Sequence, residues 1–157
     1  MAKKVMRRKA ADNVYLHKDF HGALNQALHY LHKKFGEKAV RGYLKQFALN
    51  FHAPLRQALA EKGLAALEDY FKCIYGLEGA ECRMELSPDE LTVIVPCCPA
   101  VAHIRKMGLP LSPIFCETTK TVYDAIVDGT PFKAELLEYV EETGRSVQRF
   151  TRSRKEP

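Results

Sequence analysis

Apolar positions recur at intervals of three and four over the first half of the chain. Phe20, Leu24, Ala27, Leu28, Leu31 and Phe35 mark one helix face, and Gly36 follows as a natural stop. Val40, Tyr43, Leu44, Phe47 and Phe51 repeat the period in a second helix. Pro54 suits the opening of a third, which carries Leu55 and Leu59 and reaches Gly63. Leu64, Leu67, Tyr70, Phe71 and Ile74 predict a fourth, stopping near Gly76. Four amphipathic helices in a row need a common surface against which to bury their apolar faces.

The period then drops to two. Cys82, Met84 and Leu86 alternate with Glu81, Arg83 and Glu85, the pattern of a half-buried strand. Ser87-Pro88-Asp89-Glu90 is a turn, after which Leu91, Val93, Val95 and Cys97 line one face of a second strand. Further on, residues 134–141 and 146–151 flank Glu142-Thr143-Gly144-Arg145 as a second hairpin, although 134–142 also suits a helix. Between the hairpins two helices have sharp starts. Cys98-Pro99 opens one that ends at Gly108, and Ser112-Pro113 opens another that runs to Gly129. The expectation is an α+β fold: N-terminal helices on a small antiparallel sheet of two hairpins, with two helices inserted between them.

At 157 residues the chain fits one domain, expected over 13–152, with a basic flexible tail over 1–12 and a short tail over 153–157. Positive charge gathers at the ends. Lys3, Lys4, Arg7, Arg8 and Lys9 open the chain, and Arg145, Arg149, Arg152, Arg154 and Lys155 close it, while the stretch between carries an excess of acid. A nucleic-acid binder would show its basic face on the folded body, so no nucleic-acid partner is expected. No apolar run reaches the ~20 residues of a membrane span, and no apolar stretch follows the basic start. Neither a membrane partner nor export is expected, which points to the cytoplasm. Five cysteines is an odd number, and a reducing compartment would keep them as thiols.

Three of those thiols fall at helix starts. Cys97 and Cys98 stand where a buried strand gives way to a helix, and Cys116 in the first turn of the next. Free N–H groups at a helix N-terminus favour a thiolate, which is the nucleophilic form. Strand alternation aims Cys97 inward with Val95 and turns Cys98 the other way, making Cys98 the first candidate nucleophile and Cys116 the second. Cys73 and Cys82, in register with apolar neighbours, read as small core side chains. Lys120 and Tyr123 share a helix face with Cys116, and Lys120 could hold its thiolate or a substrate carboxylate. Glu117, Asp124 and His103 are possible bases. A zinc site from Cys97, Cys98, His103 and Cys116 is a weaker reading, because adjacent cysteines suit one tetrahedral ion poorly and no CxxC knuckle is present. His17 and His21 stand one turn apart and could share an ion, whereas His32 lies roughly 16 Å further along the axis.

A helical front half, a hairpin ending in Val-Pro-Cys-Cys-Pro at 95–99, Gly108, and Pro-Ile-Phe-Cys-Glu at 113–117 together resemble the L-2-amino-thiazoline-4-carboxylic acid hydrolase family. The layout is similar over about residues 15 to 150, and its motifs are Cys98-Pro99 and Cys116. The architecture also looks like the ligand-binding fold of 4-vinyl reductase and TRAPP-subunit domains. The resemblance implies hydrolytic opening of a 2-aminothiazoline ring to an N-carbamoyl cysteine. Cys98 and Cys116 would be catalytic, Lys120, Tyr123 and His103 would contact a small-molecule substrate, and no cofactor would be needed. Cys97 is extra to the pattern. Two other readings stay open: a non-catalytic domain that senses a small ligand or metal, and an interaction domain forming a homodimer.

Overall fold

A computed structural model describes residues 18–153. The basic stretch over 1–12, His17 and the tail beyond 153 lie outside the described residues. The order is α1 (Asp19–Phe51), α2 (Ala53–Lys62), α3 (Leu64–Glu78), β1 (Arg83–Leu86), β2 (Glu90–Val95), α4 (Pro99–Lys106), α5 (Glu117–Val127), β3 (Phe132–Val140) and β4 (Arg145–Arg152). The four strands form one antiparallel sheet in the order β1-β2-β4-β3. Two hairpins lie side by side through β2 and β4, with α4 and α5 inserted between them in sequence. This is the α+β architecture expected.

Gly36 acts as a kink rather than a stop. Its φ of 77° and ψ of 179° break the helix, yet helical geometry resumes at once. The two expected helices are therefore one bent rod, made possible because glycine alone takes that conformation cheaply. At the other end α3 runs through Gly76 to a left-handed Gly79, whose N–H caps the last turn. β2 ends at Val95, two residues short of Cys97.

The inner face of the sheet follows the period of two. Leu91, Val93 and Val95 of β2 pair with Phe150, Gln148 and Ser146 of β4, and all six are buried. Leu28, Val40, Leu44 and Ala48 of α1 join the core, with Leu67 and Phe71 of α3, Val101 and Ile104 of α4, and Ile126 of α5. Phe71 is fully buried, its ring 5.4 Å from that of Tyr123 and 5.7 Å from that of Phe150. Removing such a side chain costs roughly 3–5 kcal/mol. The outer face carries cross-strand ion pairs instead, among them Arg149–Glu135 at 2.8 Å.

In β3 the alternation is interrupted. Leu136 pairs with Gln148, but the next pair is Glu138 with Val147, which leaves Leu137 as an extra residue. Before this bulge the even positions Phe132, Ala134 and Leu136 face inward. After it, Tyr139 is the residue opposite buried Ser146.

Among the described residues no helix is long and apolar enough to cross a membrane.

Candidate functional site

Cys98 stands at the N-cap of α4, where Pro99 sets the first turn. Its backbone N–H donates to Thr143 O at 3.0 Å, tying the helix start to the β3–β4 turn. Gly144 in that turn lies so close that a β-carbon there would stand 2.5 Å from Cys98 Cβ and 2.7 Å from Val101 Cγ2. The turn thus acts as a cover over the cysteine.

Two expectations about the thiols are corrected. Because β2 ends before Cys97, strand alternation no longer governs the pair: Cys97 is exposed, and Cys98 packs against the core. The second concerns ionisation. Burial raises the Cys98 pKa above the ordinary 9.0, and the N–H groups of Val101 and Ala100 offset this only in part, while nearby Cys97 and Glu78 push the same way as burial. Cys116 is also raised, by burial and the adjacent Glu117, against the pull of Lys120. A helix N-terminus does face each sulfur, but desolvation wins and both rest as thiols. Cys116 is the N-cap of α5 and not part of its first turn, since 113–116 form turns before the helix. Cys73, read as a core residue, is exposed, and Cys82 is half-buried with its pKa raised to about 11 by burial.

Beside Cys98 the structure collects acid–base groups that the sequence keeps far apart. Glu78, the last residue of α3, is within electrostatic reach of the Cys98 thiol. His21 of α1 donates from Nε2 to Glu78 Oε1 at 2.9 Å, with side-chain exposures of 13% and 2%. A buried carboxylate is expensive unless paired, so this contact fixes both side chains. His103 of α4 meets the His21 ring edge-on at 6.4 Å between centroids. Neither Glu78 nor His21 was singled out as a partner of Cys98, because they lie on separate helices and no local spacing links them.

Lys120 and Tyr123 gather elsewhere. With Thr119, Asp124, Leu136 and Gln148 they line a narrow crevice of about 10 Å³ between α5 and the sheet. Burial raises the Asp124 carboxyl, opposed by Lys120. Tyr123 is raised well above its ordinary value by burial, then by Tyr75, Tyr70, Cys98 and Cys82. His103 does not line this cleft, so the three expected substrate contacts divide between two places. Tyr139 does not line the crevice either; after burial, Cys98 and Cys116 are the next causes that raise its pKa. Both cysteines are therefore within electrostatic range of one side chain on the inner face of the sheet.

Among the described residues, no three His, Cys, Asp or Glu side chains are placed to hold one metal ion. Cys97, Cys98, His103 and Cys116 accordingly do not form the zinc group considered from sequence. Glu117 takes a structural part instead, accepting from Arg41 Nε at 3.1 Å and from the Thr121 hydroxyl. Burial works against its charge, but those two bonds together with the charges of Arg41 and Lys120 outweigh burial and hold its carboxyl below the ordinary range.

The fold and site define an α+β domain with a half-buried cysteine at a helix start and a His21–Glu78 pair whose carboxylate lies within electrostatic range of it. No family model matches the chain, and no curated protein matches it in sequence.

Proposed function

We propose that the protein is a cysteine-centred hydrolase of small molecules, acting on a C–N or C–S bond such as that of a cyclic amidine, with Cys98 as nucleophile. The observation that carries this reading is the grouping of Cys98, at the N-terminus of α4, with Glu78 and the His21 bonded to it. A thiol that rests protonated needs a base, and a histidine oriented by a carboxylate is the usual solution. With Nε2–H of His21 committed to Glu78, Nδ1 is the nitrogen left to take the Cys98 proton. Sulfur then bonds to the electrophilic carbon, the C=N electron pair moves to nitrogen, and that nitrogen receives the proton back from His21. Collapse of that adduct breaks the ring C–S bond, and the ring sulfur leaves as a thiol with a proton shed by the amidinium nitrogen; water then adds to the same carbon and expels Cys98 as the thiol, so the net reaction is addition of one water across the C–S bond. The N–H groups of Ala100 and Val101 favour the sulfur as it gains negative charge.

The resemblance to L-2-amino-thiazoline-4-carboxylic acid hydrolases makes that thiazoline the first substrate to assay. Cys98→Ala abolishes turnover while the melting temperature stays close to wild type, and His21→Ala lowers kcat by roughly 10²–10⁴-fold. The rate with wild type climbs as pH rises toward the raised Cys98 pKa. Wild type without turnover, or Cys98→Ala that retains it, overturns the reading.

A non-catalytic ligand-binding domain is the alternative, and the raised pKa of both thiols favours it. Native mass spectrometry of protein purified without chelator separates the two: a retained small molecule with unreactive Cys98 supports the binding domain.

A further inference from the structure

We propose that Tyr139 is a further catalytic residue, whose hydroxyl donates a hydrogen bond to the substrate atom that gains negative charge when Cys98 attacks. This rests on Cys98 being the nucleophile, and three observations add Tyr139 to it.

The first is the bulge in β3. A strand that kept its register from Phe132, Ala134 and Leu136 would send residue 138 inward and residue 139 outward. The extra residue Leu137, itself 49% exposed, reverses the parity, and Tyr139 comes to lie opposite buried Ser146. Bulges commonly re-aim a side chain beside a functional site. The second is what the hydroxyl meets there. Tyr139 Oη is buried with no hydrogen-bond partner, and so is Gln148 Oε1, its diagonal neighbour on the same face. Gln148 is only 3% exposed, and its Nε2 is already engaged, donating to Ser146 Oγ at 3.0 Å. Leaving the buried Tyr139 hydroxyl unmatched costs roughly 1–3 kcal/mol, a cost that a bound acceptor there would remove. The third is placement: the Tyr139–Ser146 pair lies at the end of the hairpin whose turn meets Cys98, where Thr143 O accepts from the Cys98 N–H at 3.0 Å and Gly144 abuts the Cys98 β-carbon. Burial and the sulfurs of Cys98 and Cys116 keep the phenol protonated at any working pH, so it serves as a donor and does not surrender its proton. A preorganised donor of this kind is worth roughly 10²–10³ in rate.

The test compares two reactions of Cys98 that differ only in whether negative charge develops on the electrophile's oxygen. With p-nitrophenyl acetate, sulfur adds to the carbonyl carbon, the C=O pair moves to oxygen, and collapse expels p-nitrophenolate and leaves the acetyl thioester. With iodoacetamide, sulfur displaces iodide and no oxyanion forms. The thiol proton leaves to the same base in both. Mass spectrometry of the Cys98 peptide gives each rate. In Tyr139→Phe the acetylation rate falls by roughly 10²-fold and the alkylation rate holds. Equal effects on both reactions, or none on either, overturn the role of Tyr139 while the Cys98 reading stands. A wild-type Cys98 inert to both reagents overturns the Cys98 reading, and the Tyr139 proposal with it. Where phenylalanine costs the fold, 3-fluorotyrosine at position 139, a stronger donor of nearly the same shape, raises acetylation selectively, and an unchanged rate there overturns the proposal.

Discussion

Gly144 lacks the atom that would collide with Cys98, and its φ of +65° is one that other residues adopt only under strain. Both constraints act on a single methyl group. Gly144→Ala must push the β3–β4 turn off the start of α4, lengthening the Thr143 O to Cys98 N–H bond. Overpacking and a strained φ together cost about 2–4 kcal/mol. Urea denaturation measures this, and a loss below about 1 kcal/mol would show that the turn moves freely. In the sequence this glycine reads only as a hairpin turn. Its contact is with a residue 46 positions earlier, and no local pattern reports a contact of that kind.

At the scale of elements, the loop between α4 and α5 has little regular structure of its own; Ile114 and Phe115 anchor it in the core, and one buried polar side chain fixes its backbone. Asn25 of α1 donates to Pro110 O and accepts from Ser112 N–H, both at 2.8 Å, and is fully buried. His29 adds a bond to the same Pro110 oxygen at 3.0 Å. Asn25→Ala leaves a buried N–H without its acceptor and costs about 2–3 kcal/mol, read as a lower urea midpoint with an unchanged slope. The loop leads to Cys116, so the same variant also makes that thiol more accessible to alkylating reagents. The apolar faces expected of the two helices that α1 joins illustrate the opposite case. Phe20, Phe35, Tyr43 and Phe51 keep the helical spacing but are exposed, because the stripe is wider than the surface that meets it. Periodicity shows which residues share a face, and the size of the partner surface decides how many of them are covered.

For the whole molecule, the junction of the helices carries a pH dependence. His52 lies between α1 and α2, its ring boxed edge-on by Phe47, Phe51 and Tyr70 at 5.0–6.0 Å between centroids. Burial lowers its pKa from the ordinary 6.5. The unfolded chain then binds this proton more readily than the folded one, so stability rises with pH. The contribution of His52 is complete above pH 6.5 and is lost as pH falls below it toward the lower folded value. His52→Phe flattens the slope of melting temperature against pH in that window, and an unchanged slope would place the titration elsewhere. Glu117 acts lower on the scale. Its depressed carboxyl stabilises the fold above the ordinary 4.5 and ceases to do so as pH falls through the folded value.

Local physics was legible in the residues themselves: the period of three and four in the helices, the period of two in the strands, and the Pro starts of α2 and α4. These depend on neighbours a few positions away, so one sequence contains them, and they sufficed for the α+β architecture. What surrounds each cysteine depended on the packing of distant segments. Helix starts at Cys98 and Cys116 pointed to lowered thiol pKa values, and desolvation by the assembled core reversed the sign. The pairing of His21 with Glu78 spans 57 residues, and the inward turn of Tyr139 follows from a register slip in β3. Burial and long-range contact arise only when the whole chain closes on itself, so tertiary structure decided the chemistry of the site.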